Sequence, residues 1–348
     1  MDMATSFWNR FGLSNQDASS CLKAVQEHYF GCRVEEFKEQ GYCSLTLLVT
    51  PPSLIVQIRP AQHALDMSIA EAAARYFPLL APAIQELHLL QLPAQLCLYS
   101  MQKRAGTPLS RLLPRKPALD STEQVKHTRL VESFASAIAH SWTSPEKPTP
   151  GDRAVRADSP MAMETSVLSQ CKGKVGSSIM DRLCTLSKEL PDAQLRARAE
   201  ATLRKLQALH DYPVVLNHGD LIPSNILVNQ KTWEITGLVD WAEAEHLPFG
   251  TCLYALDNLL GYLDTSSKGA SKFVYYDKER QLRNLFWTNL FKSVPGLEMR
   301  DADVKTIKDV GVLLWYGIAW DDGAINRVVN ETNDAAEVAC LRAFLDMA

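Results

Sequence analysis

The stretch from His218 to Trp241 constrains this chain more than any other. It reads His218-Gly219-Asp220-Leu221-Ile222-Pro223-Ser224-Asn225-Ile226-Leu227-Val228 and, after a short spacer, Gly237-Leu238-Val239-Asp240-Trp241. A carboxylate, an amide further along the same short loop and a second carboxylate behind an apolar run make a set of oxygen donors. Those residue types suit a reaction that asks a protein to orient a hydroxyl and to hold Mg²⁺ against phosphate oxygens.

The flanks say how the set is presented. Pro213-Val214-Val215-Leu216 reads as a strand entering a loop and Ile226-Leu227-Val228 as the strand leaving it. Trp233-Glu234-Ile235-Thr236 and Leu238-Val239 suggest a neighbouring strand, with Asn229-Gln230-Lys231-Thr232 as the turn. Asp220 and Asn225 then share one tight loop, and Asp240 ends the adjacent strand.

This pattern resembles the aminoglycoside phosphotransferase family and its choline-kinase-like relatives, which share the protein-kinase fold. The resemblance implies an α+β, bilobal chain with a small antiparallel-sheet N-terminal lobe and a mainly helical C-terminal lobe. It implies Asp220 as catalytic base or hydroxyl orienter, Asn225 and Asp240 as Mg²⁺ ligands, and His218 as a structural residue bracing the loop. It further implies ATP or GTP as phosphoryl donor and a small hydroxyl compound as acceptor. The run from Asp240-Trp241 through Glu243, Glu245 and His246 to Pro248-Phe249-Gly250 looks most like fungal members of the family. By that analogy the chain would act in a specialised-metabolite pathway.

Composition narrows the class. The 348 residues are 46% hydrophobic and 22% charged, with a net charge of −4, so no basic excess points to nucleic acid. No run approaches the ~18 apolar residues of a membrane helix, and the N-terminus lacks the basic and apolar regions of a signal peptide. The eight Cys are scattered without a C-x-x-C pair, which reads as reduced thiols in the cytoplasm.

The N-terminal region, residues 1–102, is expected to hold a helix over Gln16–Phe30, strands over Val34–Phe37, Thr46–Thr50, Leu54–Ile58 and Leu96–Met101, and a helix over Met67–Phe77. Residues 103–348 read as the helical lobe. Its expected helices are Glu123–Trp142, Met163–Leu190, Asp192–His210, Thr251–Leu263, Lys278–Leu290 and Val304–Ile318, with a mobile, Pro-rich loop over residues 144–160.

The N-terminal lobe departs from the family pattern. A Lys on the third strand, paired with a Glu on the next helix, normally holds the α and β phosphates; Gln57 stands in its place. Arg59 shares the face of Gln57, because side chains alternate along a strand, and its guanidinium suits phosphate oxygens. Glu71 is the candidate partner. The phosphate-covering turn, Gln40-Gly41-Tyr42-Cys43-Ser44, holds one Gly. Two readings follow: a small-molecule kinase using Arg59 in place of Lys, or a repurposed member acting as a different group-transfer enzyme or a binding protein. Glu243, Glu245, Asp257, Asp321 and Asp322 hint at a cationic acceptor.

Overall fold

The computed structural model describes residues 3–89, 93, 95–142, 167–265, 271–321 and 324–347. The chain divides into two compact units, Met1–Arg104 with Asp321–Gly323, and Ala105–Trp320 with Ala324–Ala348.

The first unit is built on alternation. Helices α1 (Met3–Arg10) and α2 (Asn15–His28) precede strands β1 (Arg33–Glu36), β2 (Leu45–Thr50) and β3 (Leu54–Pro60). Helix α3 (Met67–Tyr76) leads to β4 (Ile84–Leu87) and β5 (Leu96–Gln102). The five strands form an antiparallel sheet in the order β1-β2-β3-β5-β4. Val56 and Ile58 are fully buried in a core with Phe7, Trp8, Val25, Leu45, Leu47 and Leu98. Burying each such side chain favours folding by about 1.5–3 kcal/mol before entropy is counted. Gln57 and Arg59, one residue out of phase, point to the other face of β3. The helix starts are set locally: Ser14 and Asp17 form a reciprocal capping box on α2, and the Asp66 carboxylate accepts from Ser68 N and Ile69 N on α3.

The second unit is mainly helical and carries the motif on two small ladders. Strand β6 (Thr107–Pro108) pairs with β8 (Ile226–Val228), and β8 with β9 (Ile235–Leu238). Strand β7 (Val214–Asn217) pairs with β10 (Glu245–Pro248). Helix α4 (Ser121–Trp142) is followed by α5 (Ile179–Glu189), α6 (Ala193–Gln207) and the short α7 (Tyr254–Leu259). A hairpin, β11 (Gly261–Asp264) with β12 (Lys272–Tyr275), leads to α8 (Glu279–Ser293), α9 (Asp301–Tyr316) and α10 (Ala335–Phe344). Helix α4 packs along α8, with the Phe134 and Phe286 rings 5.6 Å apart. Among the described residues no helix is long and apolar enough to cross a membrane.

Two expected helices are shorter than their periodicity suggests. Within Met163–Leu190 the described part holds two 3₁₀ turns, Val167–Gln170 and Gly176–Ser178, and then α5. The break falls at Gly173, whose φ of +112° no helix permits. The Glu245 carboxylate holds the turn, accepting from Val175 N at 2.9 Å and Gly176 N at 2.7 Å. Within Thr251–Leu263 the helix ends at Leu259 and the chain turns into β11. A Cβ at Gly261 would collide with the Phe273 ring of the partner strand, so the glycine permits the pairing. The expected loop at residues 144–160 lies outside the described residues.

Candidate active site

The loop between β7 and β8 is held in shape by its own polar groups. Ile222 N donates to Asp220 O (3.1 Å), Asn225 N to Ile222 O (2.9 Å) and Val239 N to Asn225 O (3.0 Å). Gly219 has φ +76°, and a Cβ on it would strike the carbonyl oxygen of Glu243; glycine is required by both conformation and space. His218, 3% exposed, shares a 2.9 Å hydrogen bond between Nε2 and Val239 O, and its ring lies 4.5 Å from that of Trp241. A carbonyl only accepts, so Nε2 carries the proton. Burial lowers the His218 pKa to about 4, which keeps the imidazole neutral and the brace intact at ordinary pH.

Asp220 and Asn225 are brought into direct contact. The Asn225 amide donates to the Asp220 carbonyl (2.8 Å) and to its carboxylate Oδ2 (2.9 Å). The other carboxylate oxygen, Oδ1, is buried without a hydrogen-bond partner. Burial, then the charges of Asp240 and Glu243, push the Asp220 carboxyl up to about 7, against the opposing pull of Asn225. Asp240 follows β9 in the left-handed conformation, φ 63°, a region that Asp tolerates better than most residues. Its carboxylate is exposed.

This set fits a divalent cation that shares its shell with phosphates. Asn225 gives its amide nitrogen to Asp220, which leaves its Oδ1 free of that bond, and among the described residues no hydrogen bond or ion pair takes up the Asp240 carboxylate. Among the described residues no group of three or more His, Cys, Asp or Glu could hold a metal. Mg²⁺ needs no such cage, since one or two protein oxygens with substrate phosphates and water hold it.

Two positioning residues escaped the sequence reading because tertiary contact alone reveals them. The Tyr254 hydroxyl accepts from Leu221 N (2.8 Å) and donates to Gly219 O (3.2 Å), clasping the backbone on both sides of Asp220. Its ring stacks on Trp315 at 5.1 Å. Asn217, 2% exposed, donates to Val215 O and Leu247 O at 3.0 Å and accepts from Cys252 N, tying β7, β10 and the approach to α7 together.

The remaining candidates fall elsewhere. Arg59 is 6% exposed and donates through Nε to His63 O (2.9 Å) and through Nη1 to Gln57 Oε1 (3.1 Å). Glu71 is exposed on α3 and forms no ion pair with Arg59: the guanidinium turns to a carbonyl and an amide on its own strand and the turn after it. Two of the acidic set are engaged within the fold. Asp257 is buried between Lys308 (2.7 Å) and Arg283 (2.8 Å), and Glu245 is spent on Val175 N and Gly176 N. Glu243 is exposed, Asp321 is exposed at the end of its strand, and Asp322 lies outside the described residues.

Solved structures share this architecture at low sequence identity. A provisionally assigned aminoglycoside phosphotransferase from Ralstonia eutropha is 11% identical, with 94% of this chain and 98% of that chain covered at a TM-score of 0.52. The GDP complex of an aminoglycoside 2'-phosphotransferase of type IIIa is 14% identical, with 85% and 88% covered at 0.50. A macrolide 2'-phosphotransferase of type I is 16% identical, with 87% and 92% covered at 0.49. Among curated proteins none matches the sequence. The first two of those structures bear out the protein-kinase-like fold expected from the motif. The model of the phosphotransferase enzyme family matches residues 39–250, more than half of the chain and the whole of the loop just described. The chain belongs to the phosphotransferase enzyme family.

Proposed function

We propose that the protein transfers the terminal phosphoryl group of a nucleoside triphosphate to a hydroxyl of a small-molecule acceptor. The observation that carries this reading is the Asp220 carboxylate: one oxygen is fixed by Asn225 and the other is buried without a partner. A group held in that way orients an acceptor hydroxyl and takes its proton as the oxygen–phosphorus bond forms and the bond to the leaving nucleoside diphosphate breaks.

Asn225 Oδ1 and the Asp240 carboxylate would hold Mg²⁺, which neutralises charge on the donor phosphates. Gln57 and Arg59 are the groups of β3 assigned to the donor phosphates, in place of the usual lysine. GDP bound to a protein of this fold puts guanine nucleotides beside ATP in the test. Mg-ATP and Mg-GTP should each be scanned for a rise in Tm, since a compound that binds only the folded state stabilises it. Asp240→Ala should abolish the rise, while Asp220→Ala should keep it and lose turnover. No rise with either nucleotide at millimolar concentration sinks the kinase reading. The repurposed reading then takes its place, favoured by the engagement of Arg59 with Gln57 and His63 rather than with an acidic partner.

A further inference from the structure

The end of the N-terminal helix α1 touches both parts of the first unit assigned to the donor phosphates. We infer that Arg10 and Phe11 are positioning residues for the donor nucleotide: they clasp the turn between β1 and β2 and the residue that holds Arg59, so that both are set before the nucleotide arrives. The nucleotide's identity as the ligand rests on the phosphotransferase reading; the packing stands on the first unit alone.

The turn Gln40-Gly41-Tyr42-Cys43-Ser44 joins β1 to β2 and is followed by β3 and α3, the order in which protein kinases carry a Gly-rich loop over the phosphates. Its base is closed from within. Phe37 N donates to Thr46 O at 2.9 Å. The Gln40 side chain accepts from Thr46 N at 2.7 Å and donates to Thr46 O at 2.8 Å and to Phe37 O at 2.6 Å. The tip is held from outside. Arg10 donates through Nη1 to Tyr42 O at 2.7 Å, and its guanidinium lies 4.1 Å over the Tyr42 ring. Phe11 packs edge-on to the Tyr42 ring at 6.2 Å and to the His63 ring at 5.5 Å. His63 is the residue whose carbonyl accepts from Arg59 Nε.

The clasp has a firm base. Phe7 and Trp8, about one turn back on α1, are buried in the core of the sheet, and the Phe7 ring lies 5.2 Å from that of Phe11. The family match begins at residue 39, so the clasp is supplied by a segment that precedes it. Its chemistry suits a phosphate site. Arg10 only donates hydrogen bonds and Phe11 is apolar, so neither takes up a backbone N–H of the turn, the group such a turn offers to phosphate oxygens. A turn that is already held costs less to order when the nucleotide binds. Once it is released, apparent affinity falls with the fraction of time the turn spends in place.

The test uses the full chain and reads binding rather than turnover. Isothermal titration with Mg-ATP and Mg-GTP, and saturation-transfer NMR with AMP and GMP, compare the wild type with Arg10→Ala, Phe11→Leu and Tyr42→Phe. Arg10 is exposed, so its variant folds, and Phe11→Leu keeps an apolar side chain against the core. In both of these variants the Kd for the triphosphate should rise about tenfold, the value for a turn in place about a tenth of the time. Monophosphate binding should be unchanged, and without nucleotide the backbone amides of the turn should exchange faster with deuterium. Tyr42→Phe keeps the carbonyl and the ring face and should match the wild type. Triphosphate affinity unmoved in both variants, equal losses for triphosphate and monophosphate, or unchanged exchange in the turn overturns the positioning role and leaves the phosphotransferase reading intact. No binding of either triphosphate to the wild type overturns that reading and this role with it, so the two failures are distinct.

Discussion

Removing the Asp257 side chain should be among the most costly single changes in the second unit. Its side chain is 1% exposed and lies between Lys308, 9% exposed, and Arg283, 20% exposed. The Tyr275 hydroxyl donates to it at 2.9 Å. In Asp257→Ala, Arg283 keeps Glu279, whereas Lys308 is left with one carbonyl, Phe344 O at 3.1 Å. An ammonium buried with a single neutral acceptor is the expensive product, and breaking a buried pair from one side costs about 3–5 kcal/mol. Urea denaturation should therefore show a lower midpoint at an unchanged slope, the signature of lost stability rather than altered compactness. Asp257→Leu combined with Lys308→Met removes both charges and should recover more than half of the loss, because an apolar pair of similar volume is often neutral in such a place. Since Asp257 shares α7 with Tyr254, the Leu221 amide should also exchange faster with deuterium in Asp257→Ala. A loss below about 1 kcal/mol, or no recovery in the double variant, would refute the reasoning that the cluster's worth lies in mutual neutralisation.

Three further outcomes are expected. Tyr254→Phe deletes both clasping hydrogen bonds but keeps the ring on Trp315, so kcat should fall about tenfold while Mg-nucleotide protection against heat is unchanged; equal losses in both would make Tyr254 merely structural. Gly219→Ala meets both a positive φ and the Glu243 carbonyl, and should lower stability by on the order of 2 kcal/mol with loss of turnover, read by thermal scanning and a coupled phosphotransfer assay. His127 is fully buried between Trp233 and Tyr276, with Nδ1 donating to Glu123 O at 2.9 Å and Nε2 unpartnered; burial lowers its pKa. The unfolded ring binds a proton below about pH 6.5 and the folded ring resists it, so this contribution is intact above that pH and is lost as pH falls below it. Urea midpoints measured about one pH unit above and below 6.5 should converge in His127→Phe.

Local pattern carried much of the fold. Two strands of the first unit were legible because the apolar runs Thr46–Thr50 and Leu54–Ile58 flank a Pro-Pro-Ser turn. The loop at Asp220 was legible because its constraints lie close together in sequence. What stayed hidden depends on partners distant in the chain. The helix expected through Gly173 and Gly176 is interrupted by Glu245, some seventy residues on. The helix expected through Gly261 yields to a strand because Phe273 and Val274 wait opposite. Asp257 looked like a charge available to an acceptor, since nothing in its neighbourhood in sequence announces Lys308. Gln57 and Arg59 were placed on one face of β3 by alternation, but the engagement of Arg59 with His63 needed coordinates.

The left-handed backbone at Asp240 has an evolutionary consequence. Asparagine tolerates that conformation as aspartate does, and the two codons differ by one base. On the proposed function, Asp240→Asn would remove a negative charge from the Mg²⁺ site without disturbing the turn that carries it. On that reading a descendant with the change would keep its fold while Mg²⁺ binding weakens, a short mutational route from an enzyme to a binding protein.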